Sequence, residues 1–217
     1  MSTSIALAGE APSTLCDAPG PDAGELQAVV VYGSVRTERV GIRAARFVAR
    51  ALEARGHAVT LVDPVEAGLP LLDRTYAEYD DGEAPAAMAQ IADLYRRADL
   101  FAFVSGEYNH GLPPALKNLI DHYLHEYFWR PAGIVSYSAG SFGGVRAAVH
   151  LRAVLGEVGL VTVPSMLPIP KVGDAFDEDG TPHDAEAWGK RTDKFLAELC
   201  WYAHALKAAR AEGVPYT

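Results

Sequence analysis

The sequence predicts an α/β fold: a doubly wound, five-stranded parallel sheet covered by helices on both faces, in three α/β/α layers. Three observations lead there. From residue 27 onward, short Val-rich apolar runs alternate with segments of helical apolar spacing, five times over. The runs are almost continuously apolar, as strands buried on both faces must be, instead of alternating with polar residues. The five units share no duplicated sequence, so they belong to one wound domain and not to a repeat array.

Residues 1–26 are rich in Ala, Gly, Pro, Ser and acids, with no basic start and no long apolar run. They resemble neither a signal peptide nor an Arg-rich transit peptide, and are expected to form a flexible extension ahead of a domain over 27–217. Strands are predicted at Ala28–Tyr32, Ala58–Val62, Leu100–Val104, Gly133–Tyr137 and Leu160–Val163. Helices are predicted at about Val40–Arg55, Pro85–Arg97, Pro113–Glu126, Gly144–Val158 and Asp184–Ala211, from their 3.6-residue apolar spacing. Residues 64–84 and 164–183, the latter carrying Pro164, Pro168, Pro170 and Pro182, are expected as long connections of the kind that serve as lids or interfaces.

At 217 residues, 49% hydrophobic and 22% charged, the chain is long enough to bury a sizeable core. Its net charge of −9 argues against a nucleic-acid partner and against an anionic membrane surface. No stretch reaches the roughly 18 apolar residues of a membrane span. A cytoplasmic protein is the expectation. Cys16 and Cys200 stand alone, with neither CxxC nor metal-ligand spacing, and Cys200 falls in an apolar helical pattern as a buried free thiol. His122 and His125 share a helix face, but two ligands without others make no metal site, and none is expected.

The chemistry is concentrated in three strand-to-helix junctions, which a parallel sheet places on one edge. The first runs Val31-Tyr32-Gly33-Ser34-Val35-Arg36-Thr37-Glu38-Arg39-Val40-Gly41. Its glycine lets the chain turn off the strand, and hydroxyls, backbone N–H groups and arginines near a helix start suit a phosphate. It is neither a G-x-G-x-x-G turn nor a Walker loop. The third junction, Ser105-Gly106-Glu107-Tyr108-Asn109-His110-Gly111, offers an aromatic face and backbone donors with little bulk, as a flat, polar-edged ring requires. The fourth, Ser136-Tyr137-Ser138-Ala139-Gly140-Ser141-Phe142-Gly143-Gly144, adds more hydroxyls and glycines. Junctions one and three flank the topological switch point, so a phosphate site beside a ring site fits a mononucleotide.

Gly33-Ser34-Val35-Arg36, then Glu107-Tyr108-Asn109 with Leu116-Lys117-Asn118 and Ile120-Asp121, then Ser138 through Gly144, taken in that order, resemble the NADPH-dependent FMN reductases over about residues 27–170. The resemblance implies a flavodoxin-like sheet of order 2-1-3-4-5. It implies FMN, with its phosphate on Ser34, Arg36, Thr37, Arg39, Val40 and Gly41. The flavin ring would lie between Gly106, Glu107, Tyr108 and Asn109 on one border and Tyr137, Ser138, Ala139 and Gly140 on the other. NADPH or NADH would donate the hydride, and a quinone, azo compound, flavin or metal oxyanion would accept electrons. It further implies a homodimer or a dimer of dimers. Two positions depart from the family: Gly106 stands where proline is usual, which predicts a looser loop, and Arg39 stands where serine is common.

A flavin carries such chemistry itself, so no protein nucleophile is required, and His110 is the candidate proton donor to a reduced quinone. Rival readings are a flavodoxin-like electron carrier, an FMN-binding regulatory protein, and a hydrolase built on Ser138 with His150, His183 or His204.

Overall fold

A computed structural model describes residues 24–216. Residues 1–23, including Cys16, lie outside the described residues, and so does nearly all of the expected extension.

Five strands form one parallel sheet: β1 (Gln27–Tyr32), β2 (Ala58–Val62), β3 (Leu100–Gly106), β4 (Pro131–Tyr137) and β5 (Val161–Ile169), in the order β2-β1-β3-β4-β5. This is the flavodoxin-like order. The switch point lies between β1 and β3, which leave the sheet centre in opposite directions. The long helices are α1 (Ile42–Glu53), α3 (Ala86–Arg97), α4 (Pro114–Asp121), α5 (Val145–Glu157) and α7 (Ala185–Glu212). Two single-turn helices, α2 (Pro64–Ala67) and α6 (Val172–Ala175), occupy the longer connections.

Because strand side chains alternate, β1 feeds two cores. Val30 and Tyr32 pack with Ala44, Val48 and Leu52 of α1 and with Phe195, Leu196 and Leu199 of α7. Val29 and Val31 pack on the opposite face with Met88 and Tyr95 of α3, Leu116 and Ile120 of α4 and Leu151 of α5. The sheet is thereby held between two helical layers, as expected.

Two elements differ from expectation. The strand predicted as Leu160–Val163 runs from Val161 to Ile169, through Pro164 and Pro168. Proline breaks a central strand, but β5 has a neighbour on one side only, so the lost N–H donors cost no ladder bond there. The first six residues of the supposed 164–183 loop are therefore strand. The helix predicted to Glu126 stops at Asp121. There the His122 ring nitrogen takes the Asn118 carbonyl at 2.7 Å, an acceptor the next helical turn would use. A 3₁₀ turn at His125–Tyr127 follows.

The 64–84 connection is locally ordered by its own polar side chains. Asp63 caps α2 through Val65 N, and Thr75 and Glu78 form a reciprocal capping box around a 3₁₀ turn at Tyr76–Glu78. Asn118 of α4 accepts from Leu72 N at 2.9 Å and donates to the Pro70 carbonyl at 2.8 Å. Cys200 is buried and free, and burial pushes its thiol up to about 11.

Candidate functional site

The three junctions meet beyond the carboxyl ends of β1, β3 and β4 and enclose a cavity of about 310 Å³. Ser34, Arg36, Arg39, Val40 and Gly41 line it from the first loop, Gly106, Glu107 and Tyr108 from the third, and Tyr137, Ser138 and Ala139 from the fourth. Thr37, Asn109, His110 and Gly140 do not line it. Glu38 and Val172 do, and neither was expected. Val172 opens α6, which follows β5. Its arrival depends on the fifth strand's length, which local pattern alone understated.

The first loop keeps donors free. The backbone N–H groups of Val35, Thr37 and Glu38 donate to no acceptor among the described residues. Arg36 is exposed and has no carboxylate partner among them. Arg39 is different: its guanidinium is ion-paired with the buried Asp63 at the end of β2 and lies over the Tyr32 ring at 5.8 Å. The two arginines that look alike in sequence thus divide their work, Arg36 facing solvent and Arg39 tying the loop to β2. Ser34 is 2% exposed, bonds Tyr108 Oη at 2.7 Å and accepts from Arg36 N at 3.3 Å. It links the first loop to the third.

A second link is the Tyr137 ring, which passes between the first and third loops. A Cβ on Gly41 would lie 2.0 Å from its Cζ, and one on Gly106 would lie 3.0 Å away. Both glycines are therefore spaces for this ring. The Tyr137 hydroxyl donates to Tyr32 Oη at 3.3 Å, and the two rings stack at 6.3 Å. Burial pushes both phenols above their ordinary value, so each remains a neutral donor near neutral pH. The looser loop expected at Gly106 is not found. Gly106 is the last residue of β3, buried, and in register with Tyr137 of β4. A proline there would press its ring toward the tyrosine.

Glu107 joins the third loop to the fourth. Its carboxylate accepts from Arg146 N at 3.1 Å, Ala147 N at 3.3 Å and Arg146 Nη1 at 3.1 Å, which binds it to the start of α5. Burial works to raise this carboxyl, but the three donors together outweigh burial and hold it below the usual glutamate range. Beyond Tyr108, Asn109 and His110 form the tip of a two-residue hairpin, closed by Tyr108 N to Gly111 O at 3.0 Å and Gly111 N to Tyr108 O at 2.9 Å. Both tip residues have positive φ, 50° and 67°.

Ser138 is spent on its own turn: Oγ accepts from Gly143 N at 2.9 Å and donates to the Gly140 carbonyl at 2.9 Å. The histidines of the hydrolase reading are elsewhere. His183 bonds the Asp174 carbonyl and Asp177, and His204 packs against His57. No histidine hydrogen-bonds Ser138, so the pair a serine nucleophile needs is missing among the described residues. No cluster of three or more His, Cys, Asp or Glu side chains placed to hold a metal occurs among them either.

A mononucleotide-type cavity at the switch point of a flavodoxin-like sheet defines a class, and comparison with known proteins gives the family. The NADPH-dependent FMN reductase family model matches residues 26–174. The NAD(P)H-dependent FMN reductase LOT6 of Saccharomyces cerevisiae is 32% identical over 167 residues, 65% of this chain and 84% of that protein. A quinone reductase of Pseudomonas putida is 35% identical over 166 residues, 71% of this chain and 83% of that protein. The solved structure of FerB, a flavoenzyme NAD(P)H:(acceptor) oxidoreductase from Paracoccus denitrificans, superposes with a TM-score of 0.65 at 22% identity, covering 82% of this chain and 97% of that one. The chain belongs to the NADPH-dependent FMN reductase family. It is an oxidoreductase of FMN and NAD(P)H.

The residues present fit FMN. The first loop carries three N–H groups with no acceptor among the described residues, and Glu38 and Arg36, the latter without a carboxylate partner among them, line the cavity beside Ser34; this is the donor set of a phosphate site. The cavity beyond is walled by backbone, small residues and tyrosines, as a flat ring needs.

Proposed function

We propose that this chain is an NAD(P)H-dependent quinone reductase whose FMN occupies the three-loop cavity. The observation that carries the placement is the contrast between the two arginines. Of the two, only Arg36 lacks a carboxylate partner among the described residues, and it belongs to a loop ahead of the first helix that carries three N–H groups with no acceptor among them. Held by these residues, FMN would supply the hydride and two-electron chemistry that links NAD(P)H to the acceptor. The chain's own residues do the rest. Arg36, Ser34 and the free amides of the first loop hold the phosphate. The Gly106–Tyr108 backbone and the Tyr137–Ala139 turn border the ring. Glu107 fixes those two borders relative to each other, and His110, on the exposed hairpin, supplies a proton to the acceptor side.

Quinone is the acceptor favoured over azo compounds, free flavins and metal oxyanions, because relatives at 32–38% identity from rice, Pseudomonas putida and Escherichia coli are named quinone reductases or quinone oxidoreductases. The protein acts as one FMN-binding domain over 27–217, as a homodimer or dimer of dimers, in the cytoplasm. The exposed Leu71 and Leu72 beside α4 support self-association. Among the described residues no helix is long and apolar enough to cross a membrane.

The test is spectral and kinetic. Purified protein is expected to carry or take up FMN, to bleach on anaerobic NADPH titration, and to turn over benzoquinone faster than azo dye or chromate. Arg36→Ala should weaken FMN about tenfold or more, the worth of a charge-assisted phosphate contact, while riboflavin binding stays unchanged. Equal losses for FMN and riboflavin would remove Arg36 from the phosphate, and faster chromate than quinone turnover would reassign the acceptor.

A further inference from the structure

A second cavity, of about 400 Å³, lies at the opposite edge of the sheet, where Arg130 immediately precedes β4. A seven-residue strand separates the two edges by roughly 20 Å. Three arginines, Arg96, Arg130 and Arg210, line this cavity together with Phe128, Trp129 and Tyr216, and no acidic side chain among the described residues lines it. That is a marked exception in a chain of net charge −9.

The three guanidinium groups are not equivalent. Arg96 is paired with Glu126 at 2.8 Å, and Arg210 with Asp99 at 2.9 Å. Arg130 has no carboxylate partner among the described residues. Nε donates to the Ala98 carbonyl, Nη1 to the Phe128 carbonyl and Nη2 to the Arg96 carbonyl. These bonds close the end of α3 and account for three of its five N–H groups, leaving two. Burial first, and the like charge of Arg210 second, push Arg130 down to about 10, against the weaker pull of Asp99 and Glu126. The charge of a nearby anion would offset the repulsion from Arg210.

The aromatic wall is built at some expense. Trp129 has φ 64°, a conformation a bulky side chain rarely adopts. It is held by Arg210 Nη1, which donates to the Trp129 carbonyl at 2.9 Å, and by its own indole N–H, which donates to the Tyr216 carbonyl at 3.0 Å. The Trp129 and Tyr216 rings lie 4.7 Å apart, edge to face. The backbone strain, the aromatic wall and the arginine with spare donors converge on one space.

We propose that this cavity is a second ligand site, separate from the flavin site, that binds a flat aromatic carboxylate. The carboxylate would take the unspent N–H pair of Arg130, whose planar fork matches two oxygens, while the ring packs against Trp129 and Tyr216.

The test is calorimetric titration of FMN-saturated protein with 2-naphthoate and, separately, with the neutral 2-naphthalenemethanol. Saturation with FMN fills the phosphate and ring positions of the other site, and naphthoate on the remaining flavin face would change the flavin absorbance, which binding at the arginine cavity leaves unchanged. 2-Naphthoate is expected to bind one site per chain at submillimolar concentration, and the alcohol about tenfold or more weaker. Val214→Glu places a carboxylate on the cavity wall at a half-exposed position and leaves every bond of Arg130 intact. It should weaken naphthoate by a similar factor while FMN content and thermal midpoint hold. Equal binding of acid and alcohol, an unaffected Val214→Glu variant, release of FMN by naphthoate, or no binding up to millimolar probe would each overturn the proposal.

Discussion

The division of labour between Arg36 and Arg39 shows how little a residue's type settles by itself. Sequence places both in the phosphate loop, and only the fold reveals that β2 delivers Asp63 to one of them. The Tyr137 slot is similar. Gly41 reads as a phosphate-site residue and Gly106 as a loosened loop position, yet both lack a side chain because the Tyr137 ring from β4, 96 and 31 residues away along the chain, fills the space. Glu107 was legible as a site residue, but its attachment to α5 was not, since the amides it binds belong to another junction. That attachment makes a pH prediction. A carboxyl held below its ordinary value contributes stability that is complete above the unfolded value near 4.3 and disappears as pH falls through the lower folded value. Glu107→Gln, which loses one acceptor oxygen, should cost about 2 kcal/mol at pH 7. Urea unfolding should show the gap from the parent protein narrowing as pH falls from 7 to 3. A gap of equal size at both pH values would mean the charge is not what stabilises.

At the scale of elements, all five strands and the five long helices were legible because each carries its own period, and period depends on burial of a face, which the whole fold repeats unit by unit. Misread boundaries have specific causes. Pro164 and Pro168 announce a loop to any local reading, and only the position of β5 at the sheet edge makes them harmless. His122 ends α4 through a side-chain bond that helical spacing does not display. The Asn109–His110 hairpin was also hidden, because its tip lacks the glycine that usually marks such turns. The type I′ form of a two-residue hairpin demands positive φ at both central positions, and His110 meets that demand at a steric cost. His110→Gly is therefore expected to raise stability by about 0.5 kcal/mol, after allowance for the greater freedom of unfolded glycine. Measured alongside quinone turnover, the same variant separates two roles. A more stable protein with slower turnover supports proton donation, whereas unchanged turnover limits His110 to shaping the loop.

For the whole molecule, the feature of most consequence is what remains uncovered. Leu71 is 84% exposed on a segment that Asn118 pins in place, so its position is built and not accidental. If self-association uses this face, Leu71→Glu with Leu72→Glu should convert dimer to monomer at micromolar concentration in sedimentation velocity, with the thermal midpoint of the monomer retained. A dimer that persists would move the interface elsewhere. One route to assembly is already closed. Along the outer side of β5, Pro164 and Pro168 offer no N–H, and their carbonyls are taken by Arg152 Nη2 at 3.2 Å and Arg191 Nη2 at 2.6 Å. A strand from another chain arriving at that border would find neither donors nor free acceptors at those positions. The same prolines that disguise β5 in the sequence make it a finished margin: copies of this protein can meet through helices and loops, and their sheets do not merge across it.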